Sequence, residues 1–428
     1  MADGIVVGLD IGTSVIRVAI GQIEIDSQGN KKINIVGTAA KKSAGMRNGA
    51  IVNIEDAKNA VKEAVDAAEL NAGIVVESVV AAIGGGQIES MNSNGSVPIS
   101  SSGKNNKEIT YGDINRAIES ATAVPIPADR EKLHTIPQTY IVDGVTGIDN
   151  PINRIGVRLG VEVHIVTASK GIITNLRNCI NRANYCLDGV ILKTLAAVRA
   201  VCPDEDELQL GSIIIDLGAG TTDVIVFVKG APIATASIPV GGNLVTNDIA
   251  VVTQIPVAVA EEKKLESGCC WLPLITEEND TEVILPGVGG RDPEIIYRSQ
   301  LCQIIQARME QIFTMARSAI AKKTKNYVTE LSGNIVLVGG GAMMEGVDEL
   351  AKNVWKTNSV RIGKPGNLGG VTEDYQRADF ATAVGLVVAN TKFAENHGNH
   401  RKNKIHGAKK ENGSSGESKL KKFWKSLF

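Results

Sequence analysis

Aromatic residues are scarce in this chain, at 4% of 428 positions. Its cores must therefore be built from Val, Ile, Leu and Ala. A hydrophobic content of 43% is enough for that and excludes a mostly disordered protein. Cys179, Cys186, Cys202, Cys269, Cys270 and Cys302 contain no C-x-x-C pair. This argues against a zinc ribbon or redox motif and for reduced, mostly buried thiols in a cytosolic protein. Histidine is rare too. His134 and His164 stand alone in strand-like runs and read as structural; His397, His400 and His406 lie in a polar spacer. No run approaches the 18 apolar residues of a membrane span, so none is expected. The N-terminus, with Asp3 and no cationic region, does not read as a signal peptide. The pattern G-x-x-x-x-G-K-[ST] occurs nowhere, so P-loop chemistry is not expected.

What is present is a design used twice. Ile5-Val6-Val7-Gly8-Leu9-Asp10-Ile11-Gly12-Thr13-Ser14 runs into Val15–Ile20, and Ile213–Asp216-Leu217-Gly218-Ala219-Gly220-Thr221-Thr222-Asp223 runs into Val224–Val228. Each reads as a β-branched strand, a tight turn and a second strand. Such a turn suits phosphate: glycine lets N–H groups crowd an anion, hydroxyls add donors, and aspartate holds a hydrated metal ion. A single copy is an ordinary hairpin turn; two copies in matching context can grip a triphosphate from both sides. A third element, Val336-Leu337-Val338-Gly339-Gly340-Gly341-Ala342, brings backbone to a helix start.

Between these turns the pattern alternates strands and helices, which predicts α/β layers in two related halves. Residues 54–70 form an amphipathic helix capped by Asn53, and 74–83 a strand. Residues 91–107, rich in Ser, Asn and Gly, read as a loop, and Thr110–Asp113 as a capping box. A strand over 163–168 precedes a helix over 170–183. Residues 243–265 are helical with a break at Pro256, 294–326 suggest one long helix, and 379–389 a final small-residue helix. The expected domains are 1–84 with 163–205 and 375–390, an α+β insert at 85–162, a second domain at 206–244 with 311–374, and its outer subdomain at 245–310. A flexible linker follows at 391–416 and an amphipathic helix at 417–428.

Here the chain resembles the actin-like ATPase superfamily and, within it, the FtsA family of bacterial division proteins. The resemblance rests on the order of the three glycine-rich elements. It rests also on Pro239–Asn243 with Thr246–Ala250, Ala260–Lys264, Val288–Arg291, Val360–Pro365 and Ala381–Leu386. It implies two ribonuclease-H-like halves around an ATP cleft. Asp10, Gly12, Thr13 and Ser14 would form the first phosphate loop, and Gly218, Gly220, Thr221 and Thr222 the second. Asp10 and Asp216 would orient magnesium through water. Gly340, Gly341 and Ala342 would touch the adenosine, with Glu261 and Lys264 beside base and ribose.

Two departures bear on chemistry. Ala219 replaces a glycine common in the superfamily, and its methyl would crowd the γ-phosphate. Lys193-Thr194 stands where hydrolysing relatives usually carry Glu-Pro, and a charged lysine is a poor base. Tight ATP binding with turnover below about 1 s⁻¹ is expected.

Residues 391–428 carry ten Lys/Arg against three Asp/Glu, leaving the rest of the chain acidic. Leu420, Phe423, Trp424, Leu427 and Phe428 fall on one helical stripe, with Lys421, Lys422 and Lys425 around it. At about 18 Å such a helix is too short to span a bilayer. It fits the interface of an anionic inner membrane, each lysine contributing about 1 kcal/mol. The resemblance implies a homopolymer on the cytoplasmic membrane face at the division site. It would bind the tail of the tubulin-like protein FtsZ through the 245–310 subdomain, with Arg291 and Arg298 as candidate contacts, and recruit later division proteins. Nucleic acid is not expected. The rival readings are a pilus or rod-shape component and a small-molecule kinase of the superfamily.

Overall fold

In the computed structural model, which describes residues 4–25, 31–99, 107–287, 289–290, 292–324, 334–366 and 368–390, two sheets repeat one plan. In the first half, strands Lys31–Lys42, Val15–Ile25 and Ile5–Ile11 form an antiparallel meander. Ser78–Ile83 and Cys186–Leu192 then add in parallel beyond Ile5–Ile11. In the second half, Ala231–Ile238, Thr222–Val228 and Ser212–Leu217 form the meander, with Ile335–Val338 and Val360–Ile362 added in parallel. The shared order gives the two related α/β halves that the repeated hairpin predicts.

Parallel neighbours need crossovers, and helices supply them. Helix Ile54–Ala72 starts where the Asn53 side chain accepts the Glu55 and Asp56 N–H groups, and it ends at Gly73 with φ 65°. Its face of Ala57, Ala60, Val61, Ala64, Val65 and Ala68 is buried on the first sheet. The last helix, Ala378–Asn390, packs between the halves, and its apolar residues join a core that also contains Ile214, Val336 and Ala196. No single helix among the described residues is long and apolar enough to cross a membrane.

The insert is a four-stranded sheet in the order Val145–Ile148, Arg130–Val142, Arg158–Ser169, Ile88–Pro98. Helix Tyr111–Thr122 covers it, and the expected capping box forms between Thr110 and Asp113. The Ser- and Asn-rich stretch expected as a loop is, over Ile88–Pro98, a strand paired along its length with Arg158–Ser169. It is the sheet's edge, where polar residues are tolerated. Strand Arg158–Ser169 keeps its insert partners through Ser169, so the insert's sheet runs past the expected boundary at 162. The expected long helix also starts later. Glu294–Tyr297 pairs with Glu282–Leu285 as a hairpin, and the helix is Arg298–Thr324. The β-branched Ile295 and Ile296 favour that strand.

Polar side chains fasten the insert to the edge strand Ala231–Ile238 of the second half. Gln138 Nε2 donates to the Pro232 carbonyl at 2.8 Å, Asn92 Nδ2 to that of Ile233 at 2.9 Å, and Ser90 Oγ to that of Thr235 at 2.9 Å. His164 is buried here, 2.9 Å from Thr235 Oγ1 and 2.7 Å from Asn92 Oδ1. Burial, then the charge of Lys323, pushes its pKa down to about 3. Burial, then His164, does the same to His134. Both rings are neutral in the fold and charge on unfolding in acid. The stability that depends on this is complete above pH ~6.5 and is lost as pH falls toward 3. The urea midpoint is therefore expected to fall across that window. His164→Gln should remove about one proton from the slope; an unchanged slope would refute the assignment.

Candidate functional site

The two hairpin turns meet across a cavity of about 570 Å³. In the first, Ile11 pairs with Ile16 and leaves Gly12–Ser14 to turn. In the second, Leu217 pairs with Thr222, and the Gly218 N–H donates to the Thr221 carbonyl at 2.9 Å. The turns touch: a Cβ on Gly220 would lie 2.6 Å from Thr13 Oγ1. Ser14 Oγ also donates to Asn243 Oδ1 at 3.2 Å. Helix Gly242–Thr253 begins against the second turn, its Gly242 and Asn243 N–H groups donating to the Gly218 and Ala219 carbonyls at 3.0 and 2.8 Å.

Beneath the turns lies a charged cluster. Asp216 is fully buried, with Asp10 and Asp223 nearly so. Lys193 opens helix Lys193–Val201, a position the helix dipole disfavours for a cation. Its Nζ lies 3.2 Å from Asp216 Oδ2, and Thr382 Oγ1 donates to the same oxygen at 3.5 Å. Burial works to strip the Lys193 proton, but Asp10, Asp216 and Asp223 outweigh it and raise its pKa. Burial, with the neighbouring carboxylates, raises Asp10 and Asp223 despite Lys193. Three carboxylates thus face one lysine, and Asp216 Oδ1 has no hydrogen-bond partner. A buried acceptor left open beside surplus negative charge fits a bound cation.

Glycine shapes the third element. Gly339 has φ +86°, and a Cβ there would strike Asp216 Oδ1; one on Gly341 would lie 2.7 Å from Leu217 Cβ. Farther out, Lys264 Nζ reaches Glu261 Oε2 at 2.6 Å, Thr246 Oγ1 at 2.8 Å and the Gly242 carbonyl at 3.3 Å. Glu261 also accepts from Thr246. Both residues line the cavity, as do Met343, Met344 and Glu345.

A family model for the cell division protein FtsA matches residues 213–385, and one for the SHS2 domain inserted in FtsA matches 85–167, the insert sheet. The cell division protein FtsA of Borreliella burgdorferi is 39% identical over 388 residues, 91% of each chain. The chain belongs to the FtsA family. Solved structures agree on the fold. The PilM–PilN type IV pilus biogenesis complex gives a TM-score of 0.63 at 16% identity over 90% of this chain and 98% of that one. MreB 5 of Spiroplasma citri bound to AMPPNP gives 0.54 at 13%, over 94% and 100%. At such identities these show the actin-like fold alone; the FtsA relative sets this chain among division proteins rather than pilus or rod-shape components.

Within this FtsA-family cleft, Asp10, Gly12, Thr13, Ser14, Asp216, Gly218, Gly220, Thr221, Thr222, Glu261, Lys264, Gly340 and Gly341 all line one cavity. Ala342 does not. It is buried in the second half's core, and Met343 and Met344 take the cavity side instead. The one-residue shift follows from the tight 3₁₀ turn Gly340–Met343, which rotates Ala342 inward. Arg298, expected as a surface partner contact, is committed within the protomer: it pairs with Glu345, donates to the Ser267 carbonyl at 3.1 Å and borders the cavity. Arg291 and the 417–428 segment lie outside the described residues. Three site groups lie beyond the sequence expectation: Asp223, Thr382, and Arg17, whose guanidinium pairs with Asp379 at 2.8 Å.

Proposed function

We propose that the protein is an ATP-dependent division scaffold whose cleft holds magnesium–ATP between its halves. The observation that carries this is the facing pair of turns over a buried Asp10–Asp216–Asp223 cluster with one open carboxylate oxygen. When bound, magnesium–ATP supplies a divalent counter-charge to the carboxylates and a triphosphate to the turns. Asp10 and Asp216 would hold the cation, and Gly12–Ser14 and Gly218–Thr222 would offer N–H and hydroxyl donors to phosphate. Lys193 adds a positive charge where a catalytic base would stand. That supports slow turnover and a nucleotide that sets protomer shape. It also argues against the kinase reading, which needs a carboxylate base at a substrate hydroxyl. On this reading, protomers polymerise on the cytoplasmic membrane face through residues 417–428 and bind the FtsZ tail on the 245–310 subdomain. Many weak anchors on one polymer give firm attachment.

The test uses the full chain with magnesium–ATP, anionic vesicles and FtsZ. Asp10→Asn is expected to weaken magnesium–nucleotide binding about 10–100-fold. Because burial and the neighbouring carboxylates raise the Asp10 pKa, the neutral variant should also melt higher without nucleotide. Trp424→Glu should abolish co-sedimentation of protein and FtsZ with vesicles while nucleotide affinity stays unchanged. Unchanged nucleotide affinity in Asp10→Asn would refute the cleft reading. Unchanged sedimentation in Trp424→Glu would refute the membrane reading.

A further inference from the structure

The cleft and the insert share a side chain. Asp223 faces Asp216 across the second hairpin. Its Oδ2 accepts from Thr221 Oγ1 at 2.9 Å, and its Oδ1 accepts from the Gly85 N–H at 3.2 Å. Gly85 opens the insert. It lies in Gly84-Gly85-Gly86, between strand Ser78–Ile83 and strand Ile88–Pro98, with φ +96°. Gly84 lines the cavity, where a Cβ would lie 3.3 Å from Asp223 Oδ2 and 3.5 Å from Lys193 Cβ. The hinge of the insert is thus part of the cleft wall. A second tether runs from the other side: the Leu192 N–H, one residue before Lys193, donates to insert residue His134 at 2.9 Å.

A bond of 3.2 Å to a neutral amide is at the long end for N–H···O. A divalent cation beside Asp10 and Asp216 competes for the same carboxylate with a full double charge. We propose that Asp223 is a positioning residue that couples the cleft to the insert. A cation-bearing ligand draws its carboxylate inward, frees the Gly85 N–H and lets the glycine hinge turn the insert. The tether at Leu192 and the insert side chains that bond the carbonyls of strand Ala231–Ile238 then act as the pivots. This inference rests on the nucleotide reading of the cleft. It assigns the insert's orientation, and so the surface it presents, to the ligand state of a site in another subdomain.

The test follows the full chain with and without magnesium–ATP, measuring bound nucleotide in the same samples. In the wild type, the Gly85 amide is expected to exchange at least about tenfold faster once ligand is bound, the loss of one charge-assisted hydrogen bond. Spin labels placed by Val145→Cys in the insert and Leu70→Cys on helix Ile54–Ala72 report its orientation. Both positions are exposed, and Cys186→Ser removes the exposed native thiol. The label distance is expected to shift with ligand in the wild type and to stay fixed in Asp223→Asn at full occupancy. An amide asparagine keeps an acceptor for Gly85 but has no charge for the cation to draw. Bound nucleotide with a protected Gly85, or an equal shift in Asp223→Asn, overturns the coupling alone. Absence of bound nucleotide in the wild type overturns both the coupling and the cleft reading. Should Asp223→Asn fail to fold or load, the wild-type exchange decides by itself.

Discussion

Lys193→Ala is expected to lower the unfolding free energy of the nucleotide-free protein by about 3–5 kcal/mol, the cost of removing one partner from a buried ion pair. Asp216, with no exposed surface, would lose the ammonium 3.2 Å away. Asp10 and Asp223, already raised by burial, would lose the cation that most lowers them. A carboxylate whose folded pKa exceeds its unfolded one leaves the fold least stressed when protonated. The penalty is therefore small below about pH 4, the unfolded carboxylate range, and grows as pH rises through the raised folded values. Urea unfolding at several pH values checks this: the gap between variant and wild type should widen upward. A gap below about 1 kcal/mol at neutral pH would mean that the carboxylates are already neutral there. Lys193→Arg, which keeps the charge, should recover most of the loss. Lys193→Glu should do worse than alanine, because it adds a fourth carboxylate to three. A lysine at this position is thus part of what lets the cleft exist without a cation.

The twin hairpins were legible because their chemistry is local. A β-branched strand, a Gly/Thr turn and a second strand form without help from distant residues. Register carried information that motif reading passed over. Superposing the hairpins on their aspartates places Arg17 opposite Asp10 and Asp223 opposite Asp216. Like charges directly across a ladder destabilise it, so the Asp216–Asp223 pair was a site signal open to sequence alone. Ala342, expected at the ligand from the family resemblance, turns into the second half's core because it sits in the tight 3₁₀ turn Gly340–Met343. Arg298 looked like surface because its partners, Ser267 and Glu345, are far away in sequence. Strand Ile88–Pro98 looked like a loop because its polar residues answer to another domain's carbonyls, a tertiary demand that no propensity records.

Gly385→Ala is expected to cost at least about 3 kcal/mol, the upper end for overpacking, because what it meets is backbone. A Cβ on Gly385 would overlap the Ala196 carbonyl, and one on Gly8, across the same helix, would overlap that of Ala383. Helix Ala378–Asn390 is therefore held against strand Ile5–Ile11 on one side and helix Lys193–Val201 on the other, each at a distance only glycine allows. Gly112→Ala is the control. It is the second residue of helix Tyr111–Thr122, where a Cβ finds nothing nearer than Thr110 Oγ1 at 3.5 Å, and should stabilise by up to about 0.5 kcal/mol. Thermal unfolding of the two variants should move in opposite directions. The consequence reaches the cleft. Asp379, which pairs with Arg17, and Thr382, which donates to Asp216, ride on the first turn and a half of the helix that Gly385 seats. Pushing that helix off Ala196 moves both groups together. Gly385→Ala should then weaken magnesium–nucleotide binding even in the fraction that stays folded. A variant that loses stability but binds nucleotide as the wild type does would show that the helix supports the fold without positioning the site.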